Sequence, residues 1–153
     1  VQPNRVITLN KPKRPVSGLI AMLYRQELKY VSHLLEKCDV SFSQLPFVTC
    51  LYKNPGITQE ALSRKVEVDK AMCSRVLKQL EQKGLVARKI SPQDARAKLI
   101  YPTDQLIAKK RDLLRIIKEW NDILTQGLTN EEIETVKRVN QKMIENVQRK
   151  FVQ

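Results

Sequence analysis

"GITQEALSRKVEVDKAMCSRVLKQLEQKGLVARKISPQDARAKLIYPT", residues 56–103, carries most of the information about fold. Thr58 stands where a side-chain oxygen can cap the free amides of a helix, and Asp69 repeats that arrangement ahead of "KAMCSRVLKQLEQK". In the second of these helices Cys73, Val76, Leu77 and Leu80 fall at i, i+3, i+4 and i+7, the spacing of a single buried stripe. Gly84 is placed to end it in a left-handed conformation. "LVARKI" and "AKLIYP" then read as two short strands about a turn marked by Pro92. Helix, tight turn, helix and basic-tipped hairpin, in that order, make a winged helix-turn-helix.

The side of the second helix away from the stripe presents Lys70, Ala71, Ser74, Arg75, Lys78 and Gln79. Long cations, a small hydroxyl and a methyl suit a major groove, where they can pair with guanine, with other base edges or phosphate, and with a thymine methyl. Taken alone, the same face is what a solvated helix surface presents. The hairpin tip raises a similar choice, because Asp94 and Arg96 are either ordinary surface charge or an arginine held out toward something negative.

The motifs "ITQEALS", "VDK", "LEQKGLV" and "DARAKL" together resemble the DNA-binding core of the MarR family of transcriptional regulators. In motif terms the resemblance covers about a third of the chain, and in the order of its elements nearly all of it. The resemblance implies a homodimer whose first and last helices interlock, with a DNA-binding lobe on each side. It implies that Arg96 reads the minor groove and that Asp94 orients it; a guanidinium suits a narrow, strongly negative groove. On this reading Lys70, Ala71, Ser74 and Arg75 are expected to read bases, and Thr58, Gln59, Lys78, Arg88 and Lys98 to contact or lie near phosphate. Two departures stand out. Glu67 occupies a turn position where the family often has glycine, so a positive φ there carries strain. Ala71-Met72 replaces small hydroxyl residues at the start of the reading helix, which bears on operator sequence more than on binding mode.

Outward from this block, residues 1–16 hold three prolines and four basic residues and read as an extended arm. Leu19, Ile20, Leu23, Leu28, Val31, Leu34 and Leu35 predict a helix from Ser17, its expected N-cap, to about Cys38-Asp39. A second helix is expected over 43–53, stopped by Asn54-Pro55-Gly56. After the hairpin, Leu106, Leu113, Ile117, Trp120 and Leu124 mark one stripe of a helix over 103–125. Thr129 and Glu132 form a capping box for a last helix with Ile133, Val136, Asn140, Met143, Val147 and Phe151 along one side. The expected fold class is mainly α with a small two- or three-stranded β-wing. Its organisation is a basic arm at 1–16, a winged helix-turn-helix at 43–102, and a helical dimerisation region from 17–42 and 103–153.

The net charge of +12 is unevenly spread, with +4 in residues 1–16 and +5 in 58–102, so the two carry most of it. Such clustering points to a polyanionic partner, and the low aromatic content of 5% disfavours a stacking platform for single strands. Cys38, Cys50 and Cys73 have no spacing that implies a disulfide framework or a CxxC site, which fits a reducing cytoplasm. No apolar run reaches 18 residues and no signal-peptide core opens the chain, so neither membrane insertion nor secretion is expected. The chain begins at Val1, as a processed or recombinant fragment would. His33 is the single histidine and no cluster has metal-ligand spacing, so no metal or other cofactor is expected. No phosphate loop, nucleophile–histidine pair or carboxylate cluster supports an enzyme.

The expectation is therefore a cytoplasmic, nucleoid-associated regulator of double-stranded DNA, acting as a repressor on a pseudo-palindromic operator and released by an effector. A small-molecule pocket is expected near Tyr24, Tyr30 and Trp120, though these rings serve equally to pack a dimer interface. Two alternatives stand beside it: an architectural nucleic-acid binder without sequence preference, and an oxidant-sensing regulator of the same fold using Cys38 or Cys50.

Overall fold

In the computed structural model, residues 14–94 and 97–151 are described. The chain forms α1 (Val16–Leu35), α2 (Leu45–Lys53), β1 (Ile57–Thr58), α3 (Gln59–Val66), α4 (Lys70–Gln82), β2 (Val86–Ile90), β3 (Lys98–Pro102), α5 (Asp104–Thr125) and α6 (Asn130–Phe151). Short 3-10 turns at Glu36–Cys38 and Phe42–Gln44 end α1 and lead into α2. The mainly helical chain with a small wing is as expected. Its antiparallel sheet has three strands in the order β1-β3-β2, with Ile57 opposite Ile100 and Arg88 opposite Ile100 from the other side.

Two compact units divide the chain at 114/115, inside α5. In the first, α2, α3 and α4 pack together and against the sheet. Phe47, Val48, Leu51, Leu62, Leu77, Leu80, Leu85 and Ile100 are fully buried there, the core of a three-helix and sheet arrangement. The start of α5 belongs to this unit: Leu106 is buried and its carbonyl accepts a 2.6 Å hydrogen bond from the Tyr52 hydroxyl. Burial pushes the Tyr52 phenol up to about 12. In the second unit Ile116 and Trp120 are buried, whereas α6 has no buried residue.

Local chemistry explains most boundaries. Thr58 Oγ1 accepts from the Ala61 amide at 3.2 Å and Asp69 Oδ1 from the Met72 amide at 2.7 Å, so both expected caps form. At the end of α4 the Leu85 amide donates to the Leu80 carbonyl and the Gly84 amide to the Glu81 carbonyl, both at 2.9 Å. This Schellman closure needs the positive φ of Gly84, which is 69°. Gly56 meets a different demand: with φ at 81°, a Cβ there would fall 2.8 Å from the Tyr101 hydroxyl, so the ring covers this turn only because no side chain intervenes. The capping box of α6 forms as expected, Thr129 N donating to Glu132 at 2.7 Å and Glu132 N to Thr129 Oγ1 at 3.2 Å.

Two sequence expectations are corrected. Ser17 is not the N-cap of α1; the helix begins one residue earlier behind Pro15, whose carbonyl accepts from the Gly18 and Leu19 amides at 2.9 and 3.2 Å. Proline fixes its own φ near the value it holds here, −61°, and so starts the helix without a side-chain acceptor. In α5 the buried stripe runs through Leu106, Leu113, Ile116 and Trp120, while Leu124 is exposed.

Candidate nucleic-acid interface

The reading helix is set by what lies on either side of it. The turn between α3 and α4 passes through Glu67 at φ 58° and ψ 46°, the left-handed conformation that the sequence assigned to a glycine-like position. A β-carbon there costs about 1–2 kcal/mol. The turn is closed by Glu67 N donating to the Arg64 carbonyl at 3.2 Å and Val68 N to the Ser63 carbonyl at 3.0 Å. It delivers the chain to Asp69, and α4 starts at once.

Within α4 the two faces separate cleanly. Cys73, Leu77 and Leu80 have no exposed surface and Val76 has 6%. Lys70, Ala71, Ser74, Arg75, Lys78 and Gln79 are all exposed. Lys70, Arg75 and Lys78 hold no ion pair or hydrogen bond among the described residues, so three cations stand uncompensated on a surface of about four turns. The amide dipoles of the α4 N-terminus add a further positive field at Lys70 and Ala71. Gln79 is anchored differently, its Oε1 accepting from Gln44 Nε2 at 3.2 Å. Gln44 is itself buried and also receives the Ser41 amide and Lys83 Nζ, at 3.0 and 3.3 Å.

The remaining expected residues divide into two groups. Lys98 is exposed on β3 and Asp94 is exposed at the tip, where Ser91 Oγ receives the Gln93 amide at 3.2 Å and the Asp94 amide at 3.4 Å. Arg96, on which the minor-groove reading depends, lies outside the described residues. Thr58, Gln59 and Arg88 are half-buried and already engaged. Thr58 caps α3, and Arg88 Nη1 donates to Gln59 Oε1 at 3.1 Å. Arg88 Nε lies 2.9 Å from Glu81 Oε1. Sequence reasoning missed Glu81, because its partner lies seven residues on, across a turn, where no helical spacing rule applies.

Tyr24 is exposed on α1 with its ring edge-on to Phe42, the centroids 6.0 Å apart. Tyr30 is half-buried and lines a shallow cavity of about 340 Å³ with Gln26, Lys29, His33 and Leu34. Trp120 is buried on the second-unit part of α5. Cys38 and Cys73 are buried, Cys50 is half-buried, and no disulfide joins them. Burial pushes the Cys73 thiol up, which the charge of Arg88 partly offsets. Among the described residues no group of three or more His, Cys, Asp or Glu side chains could hold a metal ion, and no helix is long and apolar enough to cross a membrane.

A three-helix core with a hairpin wing and an uncompensated basic helix face defines a winged helix-turn-helix protein. Comparison with known proteins agrees. The MarR family model matches residues 40–98. An uncharacterised HTH-type transcriptional regulator of Bacillus subtilis, YybA, is 30% identical over 112 residues, which span 72% of this chain and 74% of that protein. A MarR transcriptional regulator from Methanosarcina mazei is 27% identical, with a TM-score of 0.76 over 88% of this chain and 96% of its own. MepR from S. aureus, solved as a complex with DNA, is 26% identical, with a TM-score of 0.82 over 88% of this chain and 99% of its own. The chain belongs to the MarR family of transcriptional regulators.

Proposed function

We propose that the protein binds double-stranded DNA sequence-specifically as a homodimer in the cytoplasm and represses transcription until an effector releases it. The observation that carries this reading is the division of α4, whose apolar stripe is buried while Lys70, Ala71, Ser74, Arg75 and Lys78 stand exposed together. Those residue types can read base edges, and the capped, packed helix holds them in place without further ordering. In this reading Arg96 reads the minor groove, Asp94 orients it, and Lys98 lies near phosphate.

Dimerisation is supported separately in each unit. Val16, Leu19, Ile20 and Leu23 of α1 are exposed, as are Val136, Val139, Ile144 and Val147 of α6. Apolar faces of that extent are costly in water, and a second copy covers them. In this scheme residues 17–42 and 103–153 form the dimerisation region, 43–102 the DNA-binding domain, and 1–16 a basic arm. Two lobes related by a two-fold axis read half-sites about one helical turn, roughly 34 Å, apart. The effector site falls near Tyr24 and Tyr30 of the first unit, where the cavity beside Tyr30 offers a mixed apolar and basic lining. Family and fold are those of regulators, and the protein acts by binding, without catalysis.

Fluorescence anisotropy tests the reading. Labelled duplexes selected by the protein from a random-sequence pool are expected to bind tightly, to be competed poorly by scrambled duplex, and to lose affinity steeply with salt. Lys78→Ala is expected to lower the salt slope by about 0.9, the value for one phosphate contact. Equal affinity for selected and scrambled duplexes would leave a nonspecific binder in place of a regulator.

A further inference from the structure

Arg88 sits at the root of the wing, and its surroundings set it apart from the cations of α4. Its Nη1 donates to Gln59 Oε1 at the first residue of α3, and its Nε lies 2.9 Å from Glu81 Oε1 in the last turn of α4. The Nε is closed off from solvent, yet its N–H is aligned on no acceptor, so the proximity of the Glu81 charge is what compensates it. One guanidinium therefore bridges the start of α3, the end of α4 and strand β2. Cys73 Sγ lies 3.7 Å from the Gln59 carbonyl and ties α4 to the same point. A planar fork holds two partners on different elements in one fixed mutual geometry, whereas the three donors of an ammonium rotate about a single compact charge.

We propose that Arg88 is a positioning residue that fixes the wing against the reading helix through Glu81 and Gln59, and is not itself a phosphate contact. The inference rests on the DNA-binding reading above. Helix and wing must enter adjacent grooves together, so their mutual angle decides whether both engage or only one. Turning Arg88 out to a phosphate would break a pair whose side chains are only 24% and 31% exposed, and would leave the Glu81 carboxylate unpaired beside a polyanion.

The sign of one substitution separates the two roles. Glu81→Ala removes a negative charge from a DNA-binding block. If Arg88 contacts phosphate, that change frees it and tightens binding; if Arg88 positions the wing, binding weakens. On a duplex selected by the wild-type protein, Glu81→Ala and Arg88→Ala are each expected to weaken binding roughly tenfold, and the double substitution little more than either alone. Arg88→Lys keeps the charge but loses the fork, and is expected to resemble Arg88→Ala. Thermal melts by circular dichroism accompany each variant, with binding measured well below the melting temperature. A purely architectural part in folding would lower the melt and leave the affinity of the folded protein unchanged, which overturns the proposal. Tighter binding by Glu81→Ala, or full rescue by Arg88→Lys, overturns it as well. If the wild-type protein does not distinguish selected from scrambled duplex, the DNA-binding reading itself has failed and the inference falls with it.

Discussion

Helices α4 and α6 are both amphipathic, with apolar residues returning every three or four positions, yet α4 buries its whole stripe and α6 buries no residue. The sequence pattern is the same in kind. What differs is where the covering surface comes from: α3 and β2 pack on α4 from within the chain, whereas the α6 face awaits a second copy under the proposed dimer. Periodicity therefore announces that a face is to be covered and is silent on the source of the cover. The polar faces differ in a complementary way. Those of α5 and α6 carry i,i+3 and i,i+4 ion pairs, Lys118 with Asp122 at 2.6 Å and Lys137 with Glu134 at 2.8 Å, while the α4 cations are left uncompensated.

The comparison can be broken most severely at Leu77. Truncating this fully buried residue to alanine is expected to cost about 4 kcal/mol in urea unfolding, by lost transfer energy and the cavity left behind. The loss should be the same at low and high protein concentration. A cost under about 1 kcal/mol would mean that the α4 stripe is not the core it appears in the fold. Next in size, Val147→Glu places a charge on the exposed apolar face of α6. Dimer association measured by sedimentation equilibrium should weaken by about 3 kcal/mol, the scale of an unpaired buried charge. An unchanged association constant would show that α6 is covered by something other than its twin.

Tyr52 sharpens the comparison at α5, which begins in the first unit and ends in the second. Tyr52→Phe deletes the hydrogen bond to the Leu106 carbonyl and should cost about 1 kcal/mol at neutral pH. The folded pKa, raised to about 12 from 10.0, favours the neutral phenol. Its contribution is therefore complete below pH 10 and is lost as pH rises through 12, so the gap between wild type and Tyr52→Phe should close across that window. A gap that stays constant to pH 12 would show that this phenol ionises without consequence. The smallest effect is expected at the turn entering α4. Glu67→Gly relieves the left-handed strain but frees the unfolded backbone, for a net gain of about 0.5 kcal/mol in chemical denaturation. A loss instead would mean that the Glu67 side chain contributes more than its β-carbon costs.

What the sequence made legible was local. Thr58, Asp69, Gly84 and the Thr129–Glu132 box act within one turn of chain, so their residue types were sufficient. The α4 stripe was equally plain, because four apolar residues at one spacing leave a single buried side. Leu124 was misplaced because it continues the arithmetic of the stripe into the last turn of α5, which lies beyond the buried portion. Ser17 was misplaced because a proline two residues earlier starts the helix in another way. The Arg88 bridge was hidden for a stronger reason. Its partners are 29 and 7 residues away along the chain, and only the packing of β2 beside α4 brings them within reach. For the interface, the residue types on α4 were readable, but which cations were engaged and which were not was a matter of three-dimensional neighbours.

The neck of the wing has a consequence for how such a protein can change. Thr103 donates its hydroxyl to the Gly84 carbonyl at 2.7 Å and its amide to the Leu85 carbonyl at 3.0 Å. The two ends of the hairpin are thus laced to each other at the point where α4 stops and α5 starts. Val86, Arg88 and Ile100 tie the strands themselves to the helices and to β1, so what this neck leaves open to change is the connection between β2 and β3. Lengthening that connection costs little, since loop entropy grows only with the logarithm of length, about 0.6 kcal/mol per doubling. Longer or differently charged tips can therefore be exchanged on this scaffold while the helix beside them keeps its place.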